Sequence, residues 1–310
     1  MQSRICAATG FIDLLRHISL WCKTKNPRMT SPRGGIAQRL EQAAHNCLVH
    51  GSNPCTPNFR ACRKTSMRRV LLIDISNSFT KIAIARGNKI GRVHRIATKL
   101  LNAAHLRKRF PRTSWDASVV ASVVPEKNLQ VTRAFGDAVL WVGSGIPIGI
   151  GVDYPSPKEI GADRLANAVG CREFHGVPAI VVDFGTAVTF DVISSASTYI
   201  GGVIAPGLDA MTKYLHDRTA LLPLIRLREP GIVVGRSTTE AMISGAVHGY
   251  RGLVGEILRQ ICGEAFPCET PKVIATGGDA ELIAAGVVHF DAVDPLLTLR
   301  GLLCIANRNA

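Results

Sequence analysis

The sequence predicts a mixed α/β fold made of two related halves with a cleft between them. Three observations predict it. Short apolar runs of strand length, such as Arg69–Ile75 (RVLLIDI), alternate with longer stretches of helical spacing. An acidic residue closes one strand at Asp74 and another, 109 positions later, at Asp183, each followed by a turn of small residues. The pattern around each Asp, strand, turn, strand, turn, strand, is the same, which suggests an internal duplication.

The first copy begins with Arg69–Ile75, whose branched residues suit a buried strand, and turns at Ser76-Asn77-Ser78. Thr80–Ala85 alternates, as a half-buried strand does; Gly87-Asn88 turns the chain, and Ile90–Ala97 is expected as one third strand. The second copy runs through Ala179–Val182, Asp183, the turn Phe184-Gly185-Thr186-Ala187, the strand Val188–Ile193 and the strand Tyr199–Ile204. Between them, Ser118–Val124 reads as a strand ending at Pro125, and Gly161–Phe174 as a helix stopped by Gly176. Thr238–Ile261 reads as a long helix weakened by glycines, Lys272–Ala275 as a strand, and Ala280–Ala285 as the start of another helix.

With 310 residues and 46% hydrophobic composition, the chain can bury a large core. No apolar run approaches the roughly 18 residues of a membrane span. The net charge of +14 is unevenly spread: residues 1–66 hold 10 Lys/Arg against 2 Asp/Glu, and the remainder holds 27 against 21. A basic nucleic-acid-binding arm is one reading of the first segment. The other is a spurious or disordered extension, because Phe11–Leu20 is interrupted by Asp13, Arg16 and His17, and Gly34–Pro57 resembles the translation of a bacterial transfer-RNA gene. The second is preferred, so no nucleic-acid or membrane partner is expected. The cysteines show no C-x-x-C pair or zinc spacing, which leaves incidental thiols in a reducing compartment.

An Asp at a strand tip followed by small residues cannot touch phosphate without repulsion, so it must hold a cation, while backbone N–H groups and hydroxyls approach the phosphates. Two such turns facing each other would clamp a nucleotide. Asp163, opening the helix after Asp153-Tyr154-Pro155-Ser156-Pro157, is either a general base or a helix-terminal acid, and the residues alone leave both open. Arg164 beside it suits a substrate carboxylate held in fork geometry.

Taken in order, Asp183-Phe184-Gly185-Thr186-Ala187-Val188-Thr189-Phe190-Asp191, Gly161-Ala162-Asp163-Arg164 and the Gly-Gly-x-Ile-x-Pro-Gly segment at Gly201–Gly207 resemble motifs of the bacterial type III pantothenate kinases. The resemblance runs from Met67 to about Ala306. It implies duplicated ribonuclease-H-like domains of the actin and sugar-kinase type, at 67–175 and 176–310, with the active site in the cleft between them. It implies ATP-dependent phosphorylation of pantothenate in the cytoplasm by a homodimer, with Mg2+ arriving on ATP. By the same resemblance, Asp163 accepts the proton; Tyr154, Gly161, Ala162 and Arg164 line the pantothenate site; and Thr238 reaches that site, in this subunit or its neighbour. Asp74, Ile75, Ser76, Asn77, Ser78, Phe79, Thr80, Lys81 and Thr186 would surround ATP, and Asp183 would hold K+ or NH4+. One position departs from the family: Ser76 stands where the family has glycine, and its Cβ would strain a left-handed backbone or crowd a phosphate. The readings set beside this one are a same-fold kinase for another small hydroxylated acid and a regulator that has lost turnover.

Overall fold

The computed structural model describes residues 68–137, 139–287 and 290–310; the expectations for residues 1–66 lie outside them. Strand β1 (Arg69–Ile75) is apolar on both faces because both faces are covered: Leu71, Ile73 and Ile75 enter an outer core, while Val70 and Leu72 enter a central one. It pairs antiparallel with β2 (Phe79–Arg86) and parallel with β5 (Ala117–Ser122). The expected third strand is two strands, β3 (Lys89–Ile90) and β4 (His94–Ala97), both paired with β2. The chain leaves β2 at Gly91, whose N–H nevertheless donates to the Ile84 carbonyl oxygen, and rejoins it at His94. Strand β6 (Val139–Trp141) completes the sheet, in the order β3-β2-β1-β5-β6. The strand expected to run to Val124 ends at Ser122, and Pro125 instead opens helix α2 (Pro125–Phe135), where its missing N–H costs nothing. Helix α1 (Ala103–Arg109) is capped by Asn102, whose side chain accepts from the His105 N–H.

The second sheet repeats the first. Strand β8 (Ala179–Phe184) pairs antiparallel with β9 (Ala187–Ile193) and parallel with β11 (Lys272–Gly277); β10 (Thr198–Pro206) and β12 (Ala292–Val293) lie further out, and β7 (Gly151–Val152) adds an edge beyond β10. Thus β8, β9, β10, β11 and β12 occupy the places of β1, β2, β4, β5 and β6.

Helix α3 (Ala162–Phe174) and the C-terminal helix α7 (Leu297–Arg308) fill the space between the sheets, with Leu165, Val169, Leu302 and Leu303 buried against both. Each such fully buried leucine stabilises the fold by about 1.5–3 kcal/mol. The two helices cross at glycines: a Cβ on Gly170 would lie 2.6 Å from the Leu297 carbonyl oxygen, and one on Gly301 would strike that of Ala166. Helices α1 and α2 cover the outside of the first sheet. Helices α4 (Leu208–Arg218), α5 (Thr238–Ala265) and α6 (Ala280–Ala284) pack on the outside of the second. The long helix α5 is capped at its start: Ser237 Oγ accepts from the Glu240 N–H, and the Glu240 carboxylate accepts from the N–H of Arg236, one residue before the cap.

Candidate active site

The strands β1 and β8 end at the same level, so their turns meet. Ser78 Oγ of the first turn lies 2.9 Å from Thr186 Oγ1 of the second. Asn77, Ser78, Gly185 and Thr186 are exposed at this junction, while the two Asp side chains sit just beneath. Asp74 is only 2% exposed. Burial pushes its carboxyl up to about 7; Lys81, opposite it on β2, pulls it down, and Asp163 and Asp183 push it up. Asp163 is raised in turn, by burial and then by Asp183. Asp74 and Asp163 thus each feel neighbouring carboxylates as well as burial, and such clustered, perturbed acids mark a candidate site.

Asp163 stands in the first turn of α3, where Gly161, not Asp163, is the N-cap residue. Its Oδ1 accepts from the Arg164 N–H at 2.8 Å. Four residues on, on the same face of the helix, Asn167 donates to Asp183 Oδ2 at 2.8 Å and accepts from Thr298 of α7 at 2.8 Å. Asp183 is thus aimed by a buried chain reaching back to the C-terminal helix. Beside it on β11, Thr276 is 1% exposed, and its hydroxyl has no hydrogen-bond partner among the described residues.

Arg164 makes a buried ion pair: its Nε donates to Asp191 Oδ1 at 2.6 Å. Tyr199 Oη donates to the same oxygen at 3.1 Å. Burial pushes Asp191 up to about 7 against the pull of the guanidinium in contact; burial is also the largest influence on Arg164, lowering it, but Asp191, Tyr199 and Asp163 together leave it raised. The pair is held ionised by that short charge-assisted bond. A side-on fork on a substrate carboxylate is therefore closed at Nε, a correction to the geometry expected from sequence. Nη2, buried and without a partner among the described residues, remains open. Gly202 makes the room: a Cβ there would strike the Phe190 carbonyl oxygen and lie 2.7 Å from Arg164 Nη2. Tyr154 meets the Tyr199 ring edge-on, 6.3 Å between centroids.

Not every expected residue faces the cleft. Ile75 is fully buried in the outer core and its carbonyl oxygen accepts from the Val123 N–H. Thr80 is fully buried, its hydroxyl 3.0 Å from that of Thr98. Phe79 lies under the Arg95 guanidinium, 3.5 Å from the ring centroid. Thr238 is exposed at the start of α5, with no hydrogen bond to Tyr154, Asp163 or Arg164 among the described residues. Asn167, Asp191, Tyr199 and Thr276 escaped the sequence reading; the signals were an i+4 spacing from Asp163 and an Asp inside an apolar strand.

Ser76 fits without strain. Among the described residues the one non-glycine with positive φ is Ser197, so Ser76 is not left-handed. Its hydroxyl donates to Asp74 Oδ1 at 3.0 Å, and its carbonyl oxygen accepts from Thr98 Oγ1 at 2.7 Å. Ser76→Gly should accordingly change kcat/KM for ATP less than about threefold and cost about 0.5–1.5 kcal/mol in urea unfolding. A large gain in ATP affinity would show instead that the serine crowds a phosphate.

The family described as type III pantothenate kinase matches residues 70–260. The chain belongs to that family. A type III pantothenate kinase of Akkermansia muciniphila is 48% identical over 240 residues, covering 77% of this chain and 98% of the relative. One from Methylacidiphilum infernorum is 41% identical over 236 residues (76% and 87%), and one from Halalkalibacterium halodurans 37% over 254 residues (77% and 99%). Among solved structures, a protein of Campylobacter jejuni described as a Baf family transcriptional activator superposes with TM-score 0.53 at 21% identity, covering 77% of this chain and 98% of that one. One of Sinorhizobium meliloti described as a 2-dehydro-3-deoxygalactonokinase gives 0.52 at 12%, covering 77% and 99%. These two likenesses concern the fold alone.

Proposed function

We infer that this kinase transfers the γ-phosphoryl group of ATP to the hydroxyl of pantothenate, giving 4'-phosphopantothenate in the first step of coenzyme A biosynthesis. The observation that carries the site assignment is the meeting of the two Asp-centred turns at the Ser78–Thr186 junction, with Asp74, Asp163 and Asp183 near enough beneath it that Asp183 and Asp163 raise Asp74. Asp163 takes the proton of the attacking hydroxyl, its raised pKa making it a better base than an ordinary carboxylate. Arg164, fixed by Asp191, offers Nη2 to the pantothenate carboxylate, with Tyr154, Gly161 and Ala162 shaping the pocket. The backbone of Asp74–Lys81, with Ser78, Lys81 and Thr186, surrounds the phosphates. Mg2+ bound with ATP neutralises charge on the transferring phosphoryl group. The orphaned Thr276 hydroxyl beside the Asp183 carboxylate is the oxygen pair expected around K+ or NH4+, and these two residues would hold it.

The halves 67–175 and 176–310 are read as the duplicated domains, with α7 returning to the first sheet. A homodimer is supported by exposed apolar side chains on α4 and the segment after it: Tyr214 is 63% exposed, Leu221 90% and Val234 83%. That segment leads into Thr238, which a dimer would bring to the neighbour's pocket. The cytoplasm, where ATP is supplied, is the compartment proposed; no described helix is long and apolar enough to cross a membrane.

Coupled ADP release by the full chain tests the reading. It should depend on pantothenate, and replacing K+ by Na+ should depress it several-fold. ADP release indifferent to pantothenate would overturn the acceptor, and equal rates in K+ and Na+ would overturn the Asp183 role.

A further inference from the structure

Positive charge is concentrated in the first part of the described chain. Residues 68–116 hold 12 Lys/Arg against two Asp/Glu, while residues 117–310 hold 15 against 19. Of those two acids, Asp74 belongs to the cleft and Asp116 is consumed by Arg69, which makes three side-chain hydrogen bonds to Asp116 and the Thr113 carbonyl oxygen. Arg86, Lys89 and Arg92 make no ion pair among the described residues. They line one groove of about 600 Å3 around the β2–β3 turn, with Ile84, Ile90 and the buried Phe110 among its apolar walls. Strand β2 runs from Phe79 at the phosphate turn to Arg86 in the groove, about 23 Å at the rise of an extended strand, so the groove is separate from the catalytic site.

We propose that this groove is a second ligand site, which binds a nucleotide-sized organic phosphate through Arg86, Lys89 and Arg92 with its apolar part against Ile84, Ile90 and Phe110. The volume is that of ordinary small-molecule pockets, roughly 300–1,000 Å3. Cations left without counter-charge in one concavity raise the local concentration of anions, and an apolar wall among them selects an anion with an organic part over inorganic phosphate. His94 reports the uncompensated field. Its ring packs edge-on against Phe110, 5.5 Å between centroids. Burial first, then Arg109 and Arg92, hold its pKa below the usual imidazole value.

The test uses the full chain with its catalytic cleft saturated by a non-hydrolysable ATP analogue and Mg2+. Uridine diphosphate, as the probe, should still bind at one saturable site by calorimetry, more tightly than pyrophosphate and less tightly as salt is raised. Its binding should raise the His94 pKa in an NMR titration. The triple variant Arg86→Glu, Lys89→Glu, Arg92→Glu should bind the probe about tenfold more weakly or worse, with pantothenate phosphorylation unchanged. Ile90→Asp should weaken uridine diphosphate but not pyrophosphate. No saturable probe binding with the cleft filled would overturn the proposal, as would binding that survives the triple reversal. Tight binding of an oligonucleotide with none of uridine diphosphate would replace it with a nucleic-acid surface.

Discussion

Asp163→Asn should lower kcat by about 10²–10⁴ and leave ATP affinity within about twofold. The amide oxygen can still accept from the Arg164 N–H, so the start of α3 keeps its shape. It cannot take a proton from the attacking hydroxyl. Coupled ADP release measures the loss, and full activity in the variant would reduce Asp163 to a helix-terminal acid. The variant should also be more stable, because it removes one of three mutually repelling carboxylates. The pH profile follows from the same charges. A base must be deprotonated, and burial and Asp183 raise Asp163, so the acid limb of kcat/KM should lie above the ordinary carboxylate range. For stability, Asp74 moves from 3.8 to about 7 on folding. Between those values the folded chain keeps a proton that the unfolded chain has lost, so stability falls as pH rises through that window and levels off above it. Asp163→Asn should shrink that fall, since Asp163 is among the groups that raise Asp74. A fall of undiminished size would mean that burial alone sets Asp74.

Arg164→Met should cost about 3–5 kcal/mol of stability, because it strands Asp191 in the core with the Tyr199 hydroxyl as its one short hydrogen bond. It should also raise KM for pantothenate about tenfold or more, since Nη2 is the open donor in the pocket. The two effects separate in further variants. Arg164→Lys keeps a charge beside Asp191 and should recover much of the stability, but one ammonium cannot serve Asp191 and the substrate in the same geometry, so KM stays high. Pairing Arg164→Met with Asp191→Leu should recover stability without recovering KM, since a buried ion pair replaced by apolar groups is often no less stable. Thermal unfolding and steady-state kinetics read the two separately. A double variant with normal KM would make the pair purely structural.

Much of this was legible in the sequence because it is local. Residues flanked by turn-forming neighbours declare strands, and β1, β2, β8 and β9 fall close to where their patterns place them. The split of the third strand at Gly91 was not legible, because the Gly91 hydrogen bond to Ile84 depends on the partner strand. Helix α7 lies outside the elements expected from sequence, although Arg300, Asn307 and Arg308 fall on one face of it at helical spacing. The assignment of Ile75 and Thr80 to the ATP site met the alternation of strands: the two are cross-strand partners, so both side chains turn to the same face of the sheet, where they are fully buried.

By itself the sequence determined the duplicated α/β plan, the two Asp-centred turns and the position of Asp163 at a helix start, since each depends on residues close along the chain. Tertiary structure decided which groups meet. Ser78 and Thr186 are 108 residues apart in sequence and 2.9 Å apart in space. Asn167 reaches Asp183, and Thr298 reaches Asn167, across elements that no periodicity connects. Packing also decided that Arg164 Nε goes to Asp191 and that Nη2 is left without a partner among the described residues. Burial did the rest: it removes water from Asp74 and Asp163, so their raised pKa values are properties of the folded cleft.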